Sequence, residues 1–473
     1  MKSKLPASFI ATISESFPKD FLSTNQQDLD TYGKDWTKVF PPAPSAIAFP
    51  RTTEEVSNFL KLCSLNQIAV VPSGGRTGLS GGSVATNGEI VLSLTKMNRL
   101  GEVDTLAQTV RVQAGAVTEA VHHHAASHGL TWPVDFASKG SSHVGGNIAT
   151  NAGGVKVIHY GMTRNWVLGL QVVTMNGDIL ELNGALEKNN TGIDLRQLFI
   201  GSEGILGIIT EATLKLARLP GTLDVFFFAL EDMSAVLKLF HESRRGPFNI
   251  MAFETLTHNC FEAVTAHLKL KSPFTPDPSR KTNAYVLLEV ERPNSPDAQA
   301  ILDAWLGGLF EKELVQDGVL AQSPREAKEI WSMREGIAEA LYALAFLHKN
   351  DISVPVAALE TFTREMVEMF HKRHADLGVY LFGHIGDGNL HVNTLKPATM
   401  TKEVFLEICH QADQDLFAIV KKHQGSISAE HGIGLLKKDA LAFSRTPEEM
   451  VMFRQIKKIF DPKNLLNPGK IFD

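Results

Sequence analysis

Two histidines bracket an Asp-Gly pair in the segment GVYLFGHIGDGNLHVNTL (378–395). Asp-Gly flanked by strand-like sequence is a strong hairpin signal. A two-residue turn at Asp387-Gly388 predicts pairing of Gly386 with Asn389, Ile385 with Leu390, and His384 with His391. Directly opposed residues share a face, with Cβ atoms about 4.5–5.5 Å apart. That spacing suits two imidazoles on one metal ion. Asn393, two residues past His391, falls on the same face and is read as a substrate contact. GSISAEHGIGLLKK (425–438) adds an acidic ligand, Glu430, followed at once by His431. Two histidines and a glutamate with an open position form a known catalytic zinc arrangement. With no cysteine in the set, Zn2+ is favoured by the imidazoles, while Mn2+, Fe2+ and Co2+ stay open. His431, beside the acidic ligand, is a candidate base.

A carboxylate substrate needs a cation. In EIWSMREGIAEALYALAF (329–346), Ile330, Ile337, Leu341, Leu344 and Ala345 mark the stripe of an amphipathic helix, and Arg334 falls on that stripe between Ile330 and Ala338. A guanidinium on a buried face requires an acidic partner. A substrate carboxylate held bidentately meets that requirement, and so does an internal ion pair. VHHHAASHG (121–129) has four histidines, with His124 and His128 at i,i+4, but no carboxylate within the segment. It reads as solvated helix surface.

Glycine clusters carry the second kind of chemistry. PSGGRTGLSGGS (72–83) follows a strand with five glycines and four hydroxyl side chains. Such a loop brings backbone N–H groups against an anion, because glycine has no Cβ to block approach. It is no Rossmann fingerprint: the spacing is G-x-x-G-x-x-G, and the strand-like EIVLSL follows where a helix should start. It also lacks the G-K-[ST] of a P-loop. KGSSHVGGNIATNAGG (139–154) and GSEGILGIIT (201–210) are two further glycine-rich loops. Three anion-compatible loops suggest a long cofactor with several polar parts, and a dinucleotide fits better than a single phosphate.

The elements that hold these loops are short and β-rich. AVVPSGG, EIVLSL, TVRVQAG, GLQVVTMNGDIL and GIITEATLKL read as strands, with MNGD as an Asn-Gly hairpin turn. They make a first α+β domain over 1–217, with RLPG as the link. A second α+β domain over 218–449 opens on strand VFFFAL and helix DMSAVLKLFHESRR and contains strand YVLLEVE; 450–473 forms a tail. The 473 residues are 44% hydrophobic and 21% charged, which excludes disorder and coiled coil. The net charge of −6 argues against nucleic-acid binding, and no apolar run is long enough for a membrane span. Three scattered cysteines without a CxxC pair, and an N-terminus without a signal-peptide apolar region, fit a reducing cytoplasmic setting.

The run WPVDFASKGSSHVGGNIATNAGGVKVIHYGMTRNWVLGLQVVTMNGDIL, followed by GSEGILGIIT, resembles the flavin domain of the vanillyl-alcohol oxidase superfamily. Within that superfamily it is most similar to the D-2-hydroxyacid dehydrogenases, from about Ala48 to the C-terminus. The resemblance implies an FAD-binding domain of vanillyl-alcohol oxidase type, then an α+β substrate domain with an antiparallel sheet, and a tail returning to the FAD domain. It implies that FAD is cradled by Pro72, Gly74, Gly75, Arg76, Thr77, Gly78, Gly82 and Ser83 of the first loop. The second loop would contribute Gly140, Ser141, Gly145, Gly146, Asn147, Thr150, Asn151, Gly153 and Gly154. Gly204, Gly207, Ile209 and Asn467 would border the dinucleotide. Some relatives attach the flavin through a histidine in the first loop; Arg76 and Thr77 stand there instead, so the FAD is expected to be non-covalent.

GHIGDGNLH and AEHG match family motifs in which His384, His391 and Glu430 bind a divalent metal and His431 is the base. Arg334 and Lys349 match its substrate-contacting Arg and Lys; a Thr often found one turn after that Arg is Ala338 here. The implied activity is oxidation of a D-2-hydroxy acid to the 2-oxo acid, with D-2-hydroxyglutarate first and D-lactate second. Without a nicotinamide fingerprint, the electron acceptor is expected to be an electron-transfer flavoprotein, a quinone or a cytochrome. Contact with the inner membrane through that acceptor, and a homodimer, are both compatible with this. A competing reading is a metal-dependent hydrolase of a phosphorylated substrate, and a third is a non-enzymatic flavin or metal binder.

Overall fold

In the computed structural model, residues 5–275 and 277–473 are described. The chain divides into two compact units. One comprises the chain up to Gly153, with Gly161–Leu219 and Glu430–Asp473; the other comprises Gly154–Tyr160 and Pro220–Ala429. The boundary after Leu219 lies inside RLPG. The C-terminal part rejoins the first unit from Glu430, earlier than the expected 450.

The first unit contains a four-stranded sheet in the order Leu22–Ser23, Ala46–Ala48, Ile90–Ser93, Val70–Ser73. Its last three strands run parallel, so a crossover is required. Helix Thr53–Leu65 provides it, capped by Thr52 accepting from the Glu55 N–H and burying Val56, Phe59, Leu60 and Cys63 at helical spacing. The second sheet is antiparallel, in the order Leu100–Asp104, Thr109–Gln113, Ile208–Lys215, Val167–Val173, Ile179–Leu182. Its last pair is the expected hairpin closed by MNGD, with Gly177 at φ 83°. The tail is stitched to the parallel sheet by Val70 N–H to Leu465 O and Asn467 N–H to Val70 O. Buried Lys457 donates to Ile205 O and Leu466 O while paired with Asp461 at 2.6 Å.

The second unit is built on a seven-stranded antiparallel sheet: Asp317–Leu320, Leu223–Leu230, Ala284–Glu291, Asn249–Thr257, Val379–His384, Asn389–Leu395, Leu347–Ser353. Helices cover both faces. Phe227 packs with Phe261 beneath helices His258–Leu268 and Pro324–Glu335, while Phe226 meets Trp305 of helix Ala298–Glu311. That is why VFFFAL is a continuous apolar run rather than an alternating one. Lys156, from the short segment that joins this unit, pairs with buried Glu289.

Two expectations need correction. The histidine hairpin has a four-residue loop: Ile385–Asp387 form a 3-10 turn, and Gly388 closes it at φ 78°. A Cβ at Gly388 would lie 2.0 Å from Val354 O, so glycine is required there for space as well as for its dihedral. The register therefore pairs His384 with Asn389 and His391 with Phe382. The single amphipathic helix over 329–346 is in fact two, Pro324–Glu335 and Ile337–Leu344, with the break at Gly336. The buried stripe ends at Leu341, and Leu344 is 58% exposed.

Candidate functional site

The first unit holds a cavity lined by all three glycine loops. Its wall includes Pro72, Gly74, Gly75, Arg76, Thr77, Gly78, Gly82 and Ser83 from the first glycine loop, Gly145, Gly146, Asn147 and Thr150 from the second, and Gly204, Gly207 and Ile209 from the third. The three loops meet because each leaves or enters a strand or helix of one core. Gly75 is seated against the second loop so closely that a Cβ would lie 2.1 Å from Ser141 O. A Cβ on Gly146 would meet nothing within 4 Å, so that position faces open space.

Three buried polar atoms on this wall have no hydrogen-bond partner among the described residues: Ser73 Oγ, His143 Nδ1 and Asp35 Oδ2. Such groups are costly unless something bonds them. A cofactor with hydroxyls and ring nitrogens fits that need. Burial, with the Arg76 charge beside it, pushes the His143 imidazole down to about 4, so it is neutral near pH 7 and one of its nitrogens accepts. Arg76 lies with its guanidinium 4.5 Å from the Tyr32 ring centroid. The remaining expected contacts stand off the wall. Ser141 is exposed, Gly140 packs near Glu119, and Asn151 is the left-handed cap of helix Val144–Thr150. Gly153 ends the first unit's segment, and Gly154 starts the segment belonging to the second. Asn467 is buried behind the wall, where its side-chain amide donates to Gly82 O at 3.0 Å and Glu203 O at 2.8 Å, joining the first and third loops.

His431 also lines this cavity, and two residues that sequence reasoning passed over hold its backbone. Ser80 Oγ lies 2.8 Å from His431 O and 3.0 Å from Gly432 O, placed to donate to both. The Glu203 carboxylate accepts the N–H groups of Ile433 at 2.7 Å and Gly434 at 2.8 Å. Burial raises the Glu203 carboxyl above its ordinary value. Glu203 stands inside GSEG and Ser80 inside PSGGRTGLSGGS, so both were in view as spacing but not as contacts. Glu430 Oε1 lies 3.8 Å from His431 Nε2.

In the second unit, one sheet face gathers the other candidates. Register places Glu254 opposite His384, Phe382 opposite His391, and His391 opposite Asp351, across four adjacent strands. His384 and His391 are thus diagonal neighbours, with ring centroids 5.5 Å apart. They share a face as expected, by a different pairing. Asn393 and Lys349 form the next pair along the same face. Burial pushes the Lys349 ammonium down to about 8, and it sits 4.3 Å from the Tyr342 ring centroid. Asp351 accepts from the Asn389 side chain at 2.8 Å and from the Ala429 N–H at 3.1 Å, and Glu430 is the next residue in the chain.

Glu254 is the unforeseen centre of this face. Its Oε1 lies 2.6 Å from His384 Nδ1, and its Oε2 lies 2.6 Å from a terminal nitrogen of Arg334. Burial works to raise its carboxyl, and the His384 and Arg334 charges outweigh that and hold it below the usual carboxylate range. Of the two partners open to Arg334, the structure supplies the internal one, as a charge contact: Arg334 Nε, the terminal nitrogen facing Glu254, and Glu254 Oε2 make no hydrogen bond among the described residues. In VHHHAASHG, His122 Nε2 lies 3.0 Å from Val134 O and His124 Nε2 lies 2.8 Å from Gly101 O, and no metal-holding group forms there among the described residues.

Residues 44–183 match the family model described as "FAD binding domain", and residues 219–471 match "FAD linked oxidases, C-terminal domain". The chain is 45% identical to a D-2-hydroxyglutarate dehydrogenase of Xanthomonas citri pv. viticola over 98% of its own length and 97% of the relative's. It is 44% identical to a protein of the same name from Stutzerimonas stutzeri, over 95% of each chain. Among solved structures it is similar to p-cresol methylhydroxylase at a TM-score of 0.76 and 17% identity, covering 98% of this chain and 96% of that one. At that identity the likeness shows a common fold, the vanillyl-alcohol oxidase type. No helix among the described residues is long and apolar enough to cross a membrane.

Proposed function

Because the chain belongs to the FAD-linked oxidases, in the branch of the D-2-hydroxyacid dehydrogenases, we propose that it oxidises D-2-hydroxyglutarate to 2-oxoglutarate, with D-lactate as the next candidate substrate. The observation that carries this is the 45% identity sustained along 98% of the chain; the matches favour it over the hydrolase reading. The cradle residues lining the cavity would hold FAD, which when bound supplies the two-electron acceptor. His384, His391 and Glu430 would hold a divalent ion, Zn2+ favoured, which when bound supplies Lewis-acid polarisation of the substrate hydroxyl. The chain's own part is then to bind and deprotonate. Lys349 and Asn393 receive the carboxylate groups, Arg334 adds its Nε–H, and the His431 imidazole takes the C2 hydroxyl proton. Ser80 and Glu203 fix the backbone from which His431 projects. Electrons leave to an external acceptor, an electron-transfer flavoprotein, quinone or cytochrome, in a cytoplasmic enzyme.

An anaerobic screen of D- and L-2-hydroxy acids tests the reading directly. D-2-hydroxyglutarate is expected to bleach the yellow flavin band and the L-acids to leave it oxidised; bleaching by D-lactate alone would select the second candidate. A flavin left oxidised by the whole panel would refute it. The attachment of the cofactor is tested separately: acid precipitation is expected to release all the flavin to the supernatant, because Arg76 and Thr77 occupy the loop where a tethering histidine would stand. Flavin remaining on the pellet decides for a covalent link.

Lys349 gives the site a pH signature. Burial disfavours the ammonium, so it is charged below about 8 and neutral above. A neutral amine no longer attracts a carboxylate. The expected result is a kcat/KM for D-2-hydroxyglutarate that falls as pH rises through about 8, and a Lys349→Met protein that is slower but lacks that fall. An unchanged alkaline profile in Lys349→Met would remove Lys349 from the site.

A further inference from the structure

We propose that Glu254 is the positioning residue of the metal centre: it fixes the tautomer and ring orientation of His384 and ties both to Arg334. This rests on the reading above, in which His384 is a metal ligand. A neutral histidine ligates through one nitrogen and carries its proton on the other, and the group that accepts that proton decides which. The Glu254 oxygen 2.6 Å from Nδ1 is that acceptor. It assigns the proton to Nδ1 and leaves the Nε2 lone pair for the ion.

The two strands are paired at these residues, Glu254 directly opposite His384, so the backbone register sets the contact. The second Glu254 oxygen lies 2.6 Å from a terminal nitrogen of Arg334, an ion-pair contact from helix Pro324–Glu335 in which neither atom makes a hydrogen bond among the described residues. The His384 hydrogen bond at one oxygen and the Arg334 charge beside the other restrain the carboxylate, and with it the imidazole. Glu254 is 1% exposed and lies on the same face as Leu256 and Phe382, apolar surroundings that a carboxylate tolerates only when paired. His391 Nδ1 stands 3.7 Å from Asp351 Oδ1.

The test uses flavin-loaded full-length protein stripped of metal by a chelator and titrated with Zn2+ by calorimetry. The parent is expected to bind one ion per chain, and His384→Ala to bind none. Glu254→Gln keeps the shape and one acceptor oxygen but loses the charge, and its Kd for Zn2+ should rise about 10-fold; Glu254→Met combined with Arg334→Met removes the acceptor altogether, and its Kd should rise about 100-fold. The double replacement swaps a buried ion pair for apolar groups of similar volume, a change that usually preserves folding. It decides the matter if Glu254→Gln fails to fold. Melting of the metal-free proteins is recorded alongside, and weaker Zn2+ binding at unchanged melting is the result that structural damage would not give. Parent-like Zn2+ affinity in a folded Glu254 variant, with His384→Ala still defective, would overturn the positioning role alone. Zn2+ binding by His384→Ala equal to the parent would overturn the ligand reading and this inference with it.

Discussion

Arg334→Ala is expected to cost about 3–5 kcal/mol of folding stability, because it leaves a buried carboxylate without its permanent cation. Arg334 and Glu254 are both buried, with side chains 8% and 1% exposed. Solvent does little to screen that loss. Among the described residues, His384 is the group hydrogen-bonded to Glu254, and a hydrogen bond does not replace the lost cation. The melting transition of the second unit should fall by about 6–20 °C, at roughly 2–4 °C per kcal/mol for a unit of this size. The sign of the pH dependence follows from the same pair. Glu254 is held below the usual carboxylate range, so it contributes stability that is present at neutral pH and lost as pH falls through its native value. Arg334→Ala should flatten that acid limb. Arg334→Lys, which keeps the charge and loses the planar fork, should fall between. A variant that melts with the parent but has poor kcat/KM would show that Arg334 serves the substrate first and Glu254 second.

That ion pair also marks where sequence stops being informative. Arg334 on an apolar stripe announces that some acid must meet it, yet nothing in NIMAFETLT singles out Glu254 as the acid. The partner is fixed by a strand register 130 residues away in the chain from His384, and register is a property of the whole sheet. The glycine loops were legible because their function resides in the backbone: a Cβ is excluded or unneeded whatever the neighbours are. The shared face of His384 and His391 was expected from a direct pairing that does not occur; the register that does, His384 with Asn389 and Phe382 with His391, puts them on one face as diagonal neighbours. Asp387-Gly388 signals a turn but not its length, and Gly388 closes a four-residue loop over Val354 O. Ser80 and Glu203 lay within motifs that were read for their glycines. Their roles depend on the 430–434 segment rejoining the first unit, and chain order alone does not reveal that.

His431→Asn is expected to lower the rate of flavin reduction by D-2-hydroxyglutarate about 10²–10⁴-fold, the range for removing a general base. Single-turnover reduction is the measurement to make, because product release or reoxidation can limit steady-state kcat and hide part of the loss. The flavin content should stay at the parent level. His431 sits on the cavity wall through a backbone held by Ser80 and by Glu203, which accepts from Ile433 and Gly434, and none of those bonds involves the imidazole. Asn keeps a polar side chain of smaller size, so the loop has no reason to collapse. Substrate Kd should change little, since the carboxylate contacts are assigned to Lys349, Asn393 and Arg334. Added imidazole should restore part of the rate by supplying the missing base from solution. Two outcomes would count against the assignment in different ways. A reduction rate within ten-fold of the parent would mean that another group takes the proton. Loss of flavin in step with activity would make His431 a cofactor contact and not the base.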